Sequence, residues 1–223
     1  MLLHQEKIYV WSRDGIRIAF LNYTYGTNGI PLPSDMPYIV NLLDKEKMAA
    51  DIKRAKEISD FVVVAPHWGL EYTHEASNQK DMTQFFLKNG VDLVIGAHSH
   101  VIQPVEMLYD KETGHQMLVY YSLGNFINST ADSGTGTADR MIGAMANVTL
   151  TNDENGNVYI KDYGVTPLVT QMLFGRGEIT TYKLSDYTEE LASKNGIRAR
   201  DGRFSLEWAK SLCKQVFGDL YQP

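Results

Sequence analysis

The sequence predicts a mixed α/β (α+β) fold, and three observations predict it. Two apolar runs, Phe61-Val62-Val63-Val64-Ala65 and Val91-Asp92-Leu93-Val94-Ile95, have the length and composition of buried strands and flank an amphipathic segment, the pattern of a βαβ unit. Beyond residue 100 the chain becomes a series of short strands with short connections, which favours antiparallel pairing. The tail reads as two helices, Ser185 to Asn195 and Phe204 to Phe217.

The elements follow in order. Lys7 to Trp11 and Ile16 to Tyr23 form a hairpin, because the Asp14-Gly15 pair supplies the backbone angles of a tight turn. Gly26 to Pro33 is an irregular loop, since its glycines and prolines break both regular ladders. Asp44 is a natural N-cap for a helix in which Met48, Ile52, Ala55 and Ile58 recur at helical spacing. The first buried strand follows. A second helix starts near Ser77, turns Met82, Phe85 and Phe86 inward and stops at Asn89-Gly90. The second buried strand leads to strands at Val101 to Tyr109 and Gln116 to Ser122, a loop from Asn128 to Thr137, and strands at Met141 to Leu150 and from Val158 onward. No internal repeat, low-complexity tract or linker divides the chain.

Composition narrows the function. At 223 residues and 43% apolar content the chain can bury a core of ordinary size. Its 21 basic residues are scattered and outnumbered by 27 acidic ones, which argues against non-specific nucleic-acid binding. Cys213, the single cysteine, excludes an intrachain disulfide and reads as a buried structural thiol. No apolar run is long enough to span a bilayer, and residues 1–7 lack the pattern of a signal peptide.

The chemistry lies at the strand ends. One apolar run finishes in Pro66-His67-Trp68-Gly69 and the other in Gly96-Ala97-His98-Ser99-His100. Right-handed βαβ crossovers pair their strands in parallel, so His67, His98 and His100 are expected at one sheet edge, where open α/β sheets bind ligands. Neutral imidazole suits zinc, manganese and iron, and these three residues are the expected metal ligands. Glu71 can serve as acid, base or ligand, or can be a solvated loop carboxylate; His74 can enter the site or lie exposed. Asn125, immediately after another apolar strand, can bind substrate or metal, or can satisfy loop backbone groups beside Gly124. Trp68 and Tyr72 read as wall and core aromatics, and Gly69 and Gly96 as turn residues. His4 and His115 carry no functional expectation. No nucleophile elbow or phosphate-binding loop is present.

The segments Val64 to Tyr72 with Gln79, Asp92 to Pro104, and Tyr121 to Phe126 together resemble the CapA/PgsA-like capsule and poly-γ-glutamate biosynthesis proteins, over about two thirds of the chain. Those proteins look like members of the calcineurin-like metallophosphoesterase superfamily. The resemblance implies a β-sandwich flanked by helices, with residues 1–170 as a partial domain of that kind and 171–223 as a mainly helical extension. It also implies that His67 and His98 ligate one metal and His100 a second; Glu71 and Asn125, on the neighbouring loops, are the expected substrate-binding residues. Ala97 and Ser99 depart from the family's commonest pattern without removing a ligand. The superfamily's opening Asp-x-His, Gly-Asp and Gly-Asn-His motifs are not found: the only Gly-Asp is Gly218-Asp219, and Gly124-Asn125 is followed by Phe126.

The chain thus looks like the C-terminal part of a longer family member, lacking its N-terminal portion and the bridging carboxylate. Three imidazoles without that carboxylate are expected to hold one divalent ion (Mn, Zn or Fe) weakly or none, with poor or absent phosphatase activity. By the resemblance the substrate is a phosphoester or an anionic polymer, the partner a membrane synthase or export complex, and the location the bacterial cell envelope or its outer face. The competing expectation is a non-catalytic accessory or scaffold module of such a complex. An independent hydrolase using Glu71 fits least, because strand-end aspartates are missing.

Overall fold

The computed structural model describes residues 7–37, 39–128, 130–173 and 177–222. His4 lies outside them. A six-stranded mixed sheet contains β1 (Tyr9–Arg13), β2 (Ile16–Thr24), β3 (Phe61–His67), β4 (Leu93–Ile95), β5 (Val105–Tyr109) and β6 (Gln116–Tyr120), ordered β1-β2-β3-β4-β6-β5. A three-stranded antiparallel sheet contains β7 (Ile142–Asn152), β8 (Val158–Leu173) and β9 (Glu178–Lys183).

Local chemistry explains the elements. Asp14 and Gly15 both have positive φ, 52° and 81°, as a two-residue hairpin turn requires. Helix α1 (Lys45–Ile58) begins where the Asp44 carboxylate accepts the Lys47 N–H at 2.8 Å. Its buried stripe is Met48, Ile52 and Ala55, while Ile58, expected inward, is exposed at the helix end. The second helix opens with a 3-10 turn at Ser77–Gln79 and becomes α2 at Lys80–Lys88. Gly90, with φ of 78°, ends it and turns the chain into β4.

The sandwich flanked by helices that the resemblance implied is present. Strand alternation builds it: Val62, Val64, Val94, Met117 and Val119 face α1 and α2. Their neighbours Phe61, Val63, Leu93, Leu118 and Tyr120 face Val148, Leu150, Val158 and Ile160 of the second sheet. The Tyr120 hydroxyl ties the two sheets by donating to the Gly164 carbonyl at 2.8 Å. Helices α3 (Glu189–Lys194) and α4 (Leu206–Phe217) pack with Ile142, Val169 and Met172, and Cys213 is buried there, burial pushing its thiol up to about 12.

One sequence expectation shifts, and two features of the second sheet bear on the rest. The strand expected from Val101 starts only at Val105, because Pro104 has no N–H to offer and Ser99 Oγ closes a local turn onto the Val101 carbonyl. Residues 170 and 171, on either side of the expected domain division, both lie inside β8. β9, not singled out from the sequence, continues the same sheet.

Candidate functional site

Parallel pairing of β2, β3, β4 and β6 brings four carboxyl ends to one rim. Pairing continues into the loops: His67 bridges Ala97, Tyr25 N–H donates to the His67 carbonyl at 2.9 Å, and Tyr72 N–H to the Ser99 carbonyl at 2.7 Å. Gly96 allows this convergence. A Cβ there would stand 2.0 Å from the Tyr121 carbonyl oxygen and 2.4 Å from the Trp68 indole nitrogen, whose N–H donates to that same carbonyl at 2.9 Å. Trp68 is therefore core. A buried amide pair holds the loop above it, with Gln79 Nε2 donating to Gln103 Oε1 and Gln103 Nε2 donating to the carbonyls of Thr73 and Glu75.

The three histidines come together on this rim. His67 Nε2 and His98 Nδ1 lie 3.0 Å apart, with ring centroids 4.6 Å apart; the His98 and His100 rings are 6.5 Å apart. A pair of ring nitrogens at 3.0 Å is satisfied by an N–H···N hydrogen bond between neutral imidazoles, one donating and one accepting, or by a metal ion shared between two lone pairs. Two nitrogens bound to one ion at ordinary distances lie about 3.0–3.4 Å apart, so this pair meets that requirement. Burial, and then the positive charge of a neighbouring imidazole, lowers the pKa of both His67 and His98, while Glu71 acts in the opposite direction. The neutral, ligating form is thereby favoured at neutral pH. Among the described residues, no group of three or more His, Cys, Asp or Glu side chains is disposed to hold an ion. The rim thus brings two imidazole nitrogens together, with His100 and Glu71 alongside.

Asn125 fixes His100. The Arg140 carbonyl can only accept, and Asn125 Nδ2 donates to it at 3.1 Å; Asn125 Oδ1 therefore faces His100 Nδ1 at 2.9 Å and takes its proton in a hydrogen bond. His100 Nε2, at the other side of the ring, lies 3.5 Å from Glu71 Oε1. Of the roles left open by the sequence, the one seen is structural: Asn125 satisfies a backbone carbonyl and holds the His100 ring. Glu71 is half-exposed beside the imidazole.

Tyr72 and His74 occupy different places. Tyr72 is 49% exposed and stacks on His100 at 5.5 Å, making it a wall rather than core. His74 is half-buried: its Nδ1 donates to the Ile102 carbonyl at 2.7 Å and its Nε2 lies 3.8 Å from Asp139. Tyr72, His98 and His100 all have left-handed φ, 62°, 114° and 60°, values rare for residues with a Cβ.

Sequence reasoning missed two residues. Tyr25 packs on His98 at 4.5 Å and on His67 at 6.0 Å; its signal was its position just past β2, a strand parallel to β3. Arg140 places its guanidinium 3.8 Å from the centre of the Tyr72 ring, and nothing local in the sequence announces it.

Known proteins resemble this chain to differing extents. A solved structure of a hypothetical protein from Thermus thermophilus aligns with a TM-score of 0.40 and 14% identity, covering 72% of this chain and 60% of that one. The NAD nucleotidase of Haemophilus influenzae aligns with a TM-score of 0.37 and 10% identity, covering 96% and 38%. In sequence, the PGA biosynthesis protein CapA of Bacillus subtilis (strain 168) is 30% identical over 125 residues, which is 55% of this chain. The chain spans 31% of that relative's length. The family described as bacterial capsule synthesis protein PGA_cap matches residues 2–130, a stretch that contains His67, Glu71, His98, His100 and Asn125. With more than half of its length matched, the chain belongs to the bacterial capsule synthesis protein PGA_cap family.

Proposed function

We propose that this protein serves capsule or poly-γ-glutamate biosynthesis through a histidine half-site that holds one divalent ion weakly and is catalytically incomplete in this chain. The observation that carries this reading is the 3.0 Å approach of His67 Nε2 to His98 Nδ1 at the end of two parallel strands. A bound ion would polarise a phosphoryl oxygen and make a bound water more acidic. The chain's own groups supply the rest. Asn125 holds His100 by its Nδ1–H, Glu71 can accept a proton beside it, and Tyr25 and Tyr72 pack their rings against His98 and His100.

A second reading is a non-catalytic accessory or scaffold module of a polymer synthesis or export complex. It is favoured by the exposed apolar side chains of Leu70, Phe126 and Ile127 on the loops bearing the site, and by the shortage of donors beyond the histidine pair. Among the described residues no helix is long and apolar enough to cross a membrane.

One experiment separates these readings. Metal content after loading with zinc or manganese, and hydrolysis of a generic phosphoester, are compared in the wild type and His98→Ala. The half-site reading expects at most one weakly held ion, lost in His98→Ala, with negligible turnover. Robust turnover abolished by His98→Ala would overturn the incompleteness. Absence of binding, with polymer production surviving substitution of His67, His98 and His100, would leave the scaffold.

A further inference from the structure

The sheet rim that carries the histidines is also where the protein exposes most of its apolar surface. Nine of the seventeen large apolar side chains exposed among the described residues lie on three loops: residues 25–44 after β2, 68–76 after β3 and 121–137 after β6. Ile30, Ile39, Leu70, Phe126 and Ile127 are each more than half exposed. Contacts join these loops across the rim, since Tyr25 donates its N–H to the His67 carbonyl and packs on His98 while Tyr72 stacks on His100. Half-exposed side chains of this size each offer about 80–100 Å², so the nine together offer about 700–900 Å². The largest apolar patch of a typical monomer is about 300–600 Å², and one side of a standard protein–protein interface buries about 800 Å².

The charges of the same loops decide what such a surface meets. The chain has 21 lysine and arginine residues, yet the three loops contain none, while they carry Asp35, Asp44, Glu71, Glu75 and Asp132. Asp44 caps α1 and Asp132 pairs with Arg140, which leaves Asp35, Glu71 and Glu75 exposed to solvent. Arg140, the cation beside Tyr72, is itself engaged by Asp132 and its side chain is only 15% exposed. An anionic membrane surface is held by clustered lysine and arginine, and a polyanion needs the same positive field, so this rim suits neither. A second copy of the chain would set these carboxylates against their own kind with no basic side chain to meet them. A polypeptide face that is apolar and also carries lysine or arginine matches both the uncovered apolar area and the carboxylates around it.

We infer that the three rim loops form a docking surface for a partner polypeptide whose contact face is apolar and bears lysine or arginine side chains. The inference rests on the accessory-module reading for what the docking serves, and on no ion at the histidines. Leu70 and Phe126, on loops that follow β3 and β6, are its anchors, because each would pass from solvent into a desolvated contact.

The test uses the intact chain as wild type, as the double variant Leu70→Asp with Phe126→Asp, and as Tyr109→Asp, an exposed position at the other end of the sheet. Fluorescence anisotropy with two labelled amphipathic peptides, one of leucine and lysine and one of leucine and glutamate, reads binding. The lysine peptide should bind the wild type and Tyr109→Asp alike, and bind the double variant about tenfold or more weakly at an unchanged melting temperature. The glutamate peptide should bind the wild type about tenfold or more weakly than the lysine peptide. Two added carboxylates would strengthen a purely electrostatic association, so weakening marks apolar docking. Vesicles of phosphatidylcholine, with or without phosphatidylglycerol, should leave the protein in solution, and light scattering should report a monomer. A lysine peptide that does not bind, or that binds the double variant as tightly as the wild type, would overturn the inference. So would vesicle binding or a dimer that the same two substitutions abolish. If the double variant does not fold, hydroxyl-radical footprinting of the wild type replaces it: the lysine peptide should protect Leu70, Phe126 and Ile127, and protection confined to other surfaces would overturn the inference. Polymer production in the histidine variants judges the accessory reading separately, so the two can fail independently.

Discussion

Replacing Gly96 with alanine should destabilise the protein severely, although the change adds one methyl group. The φ of Gly96 is not in the left-handed region, so the reason is space. The new Cβ would lie 2.0 Å from the Tyr121 carbonyl oxygen, about 1.2 Å inside an ordinary carbon–oxygen contact, and that oxygen belongs to backbone. Relief requires moving the end of β4 away from the chain leaving β6, which strains the Gly96 N–H bond to the Tyr120 carbonyl at 2.7 Å. It also displaces the Trp68 indole from its acceptor. Overpacking costs about 1–3 kcal/mol and an orphaned buried donor about 1–3 more, so about 2–6 kcal/mol is expected. With a urea slope of about 2–3 kcal/mol per M, the unfolding midpoint should fall by about 1–3 M. Gly164→Ala is the control, since a Cβ there meets nothing within 4 Å and the expected change is within about 0.5 kcal/mol. If Gly96→Ala unfolds within about 1 kcal/mol of the wild type, the steric account of the rim is wrong.

Two further outcomes follow from the same rim. At His98, with φ of 114°, glycine relieves the strain of a Cβ, so His98→Gly should be at least as stable as His98→Ala; at an ordinary position it would be about 0.5–1 kcal/mol less stable, and urea midpoints that show this ordinary penalty would refute the strain. His74 should make stability depend on pH: burial disfavours its charge, but Asp139 and the Ile102 carbonyl outweigh burial and the opposing charge of Arg203, and raise its pKa. A raised folded-state value means that this contribution is full below the unfolded value of about 6.5 and is lost as pH rises through the folded value, so the stability difference between wild type and His74→Gln should shrink on going upward from about pH 6 and not change sign in slope. A difference independent of pH would show that His74 stays neutral.

How much of this was legible depended on whether a contact is made by neighbouring strands or by distant layers. The meeting of His67 with His98 and His100 follows from one βαβ unit, whose handedness and parallel pairing leave little choice of geometry. The Asp44 cap and the Asp14-Gly15 turn were legible because each is a local hydrogen-bonding or backbone preference. Arg140 was not, because its place over Tyr72 depends on how the second sheet docks against the first, and no periodicity encodes that. β9 escaped for a different reason. Glu178–Lys183 carries β-branched residues and a tyrosine, but Ile179 is exposed, so the alternation of a half-buried strand is blurred.

The backbone of the rim bears on which role the histidines play. Tyr72, His98 and His100 all occupy left-handed conformations, at a cost of about 1–3 kcal/mol each for a residue with a Cβ. Glycine would adopt those angles without that cost, and the chain does use glycine nearby, at Gly69 with φ of 87° and Gly124 with φ of 68°. Loops whose only task was to reverse direction would gain by glycine at all five places. What the three strained positions obtain instead is two imidazoles and the ring that stacks on one of them, held where β3 and β4 end. Positive φ alone does not single out a site, since Asn28 and Ile127 share it at 52°, but strain at three positions of one rim accords with the proposed role of the imidazoles as ligands.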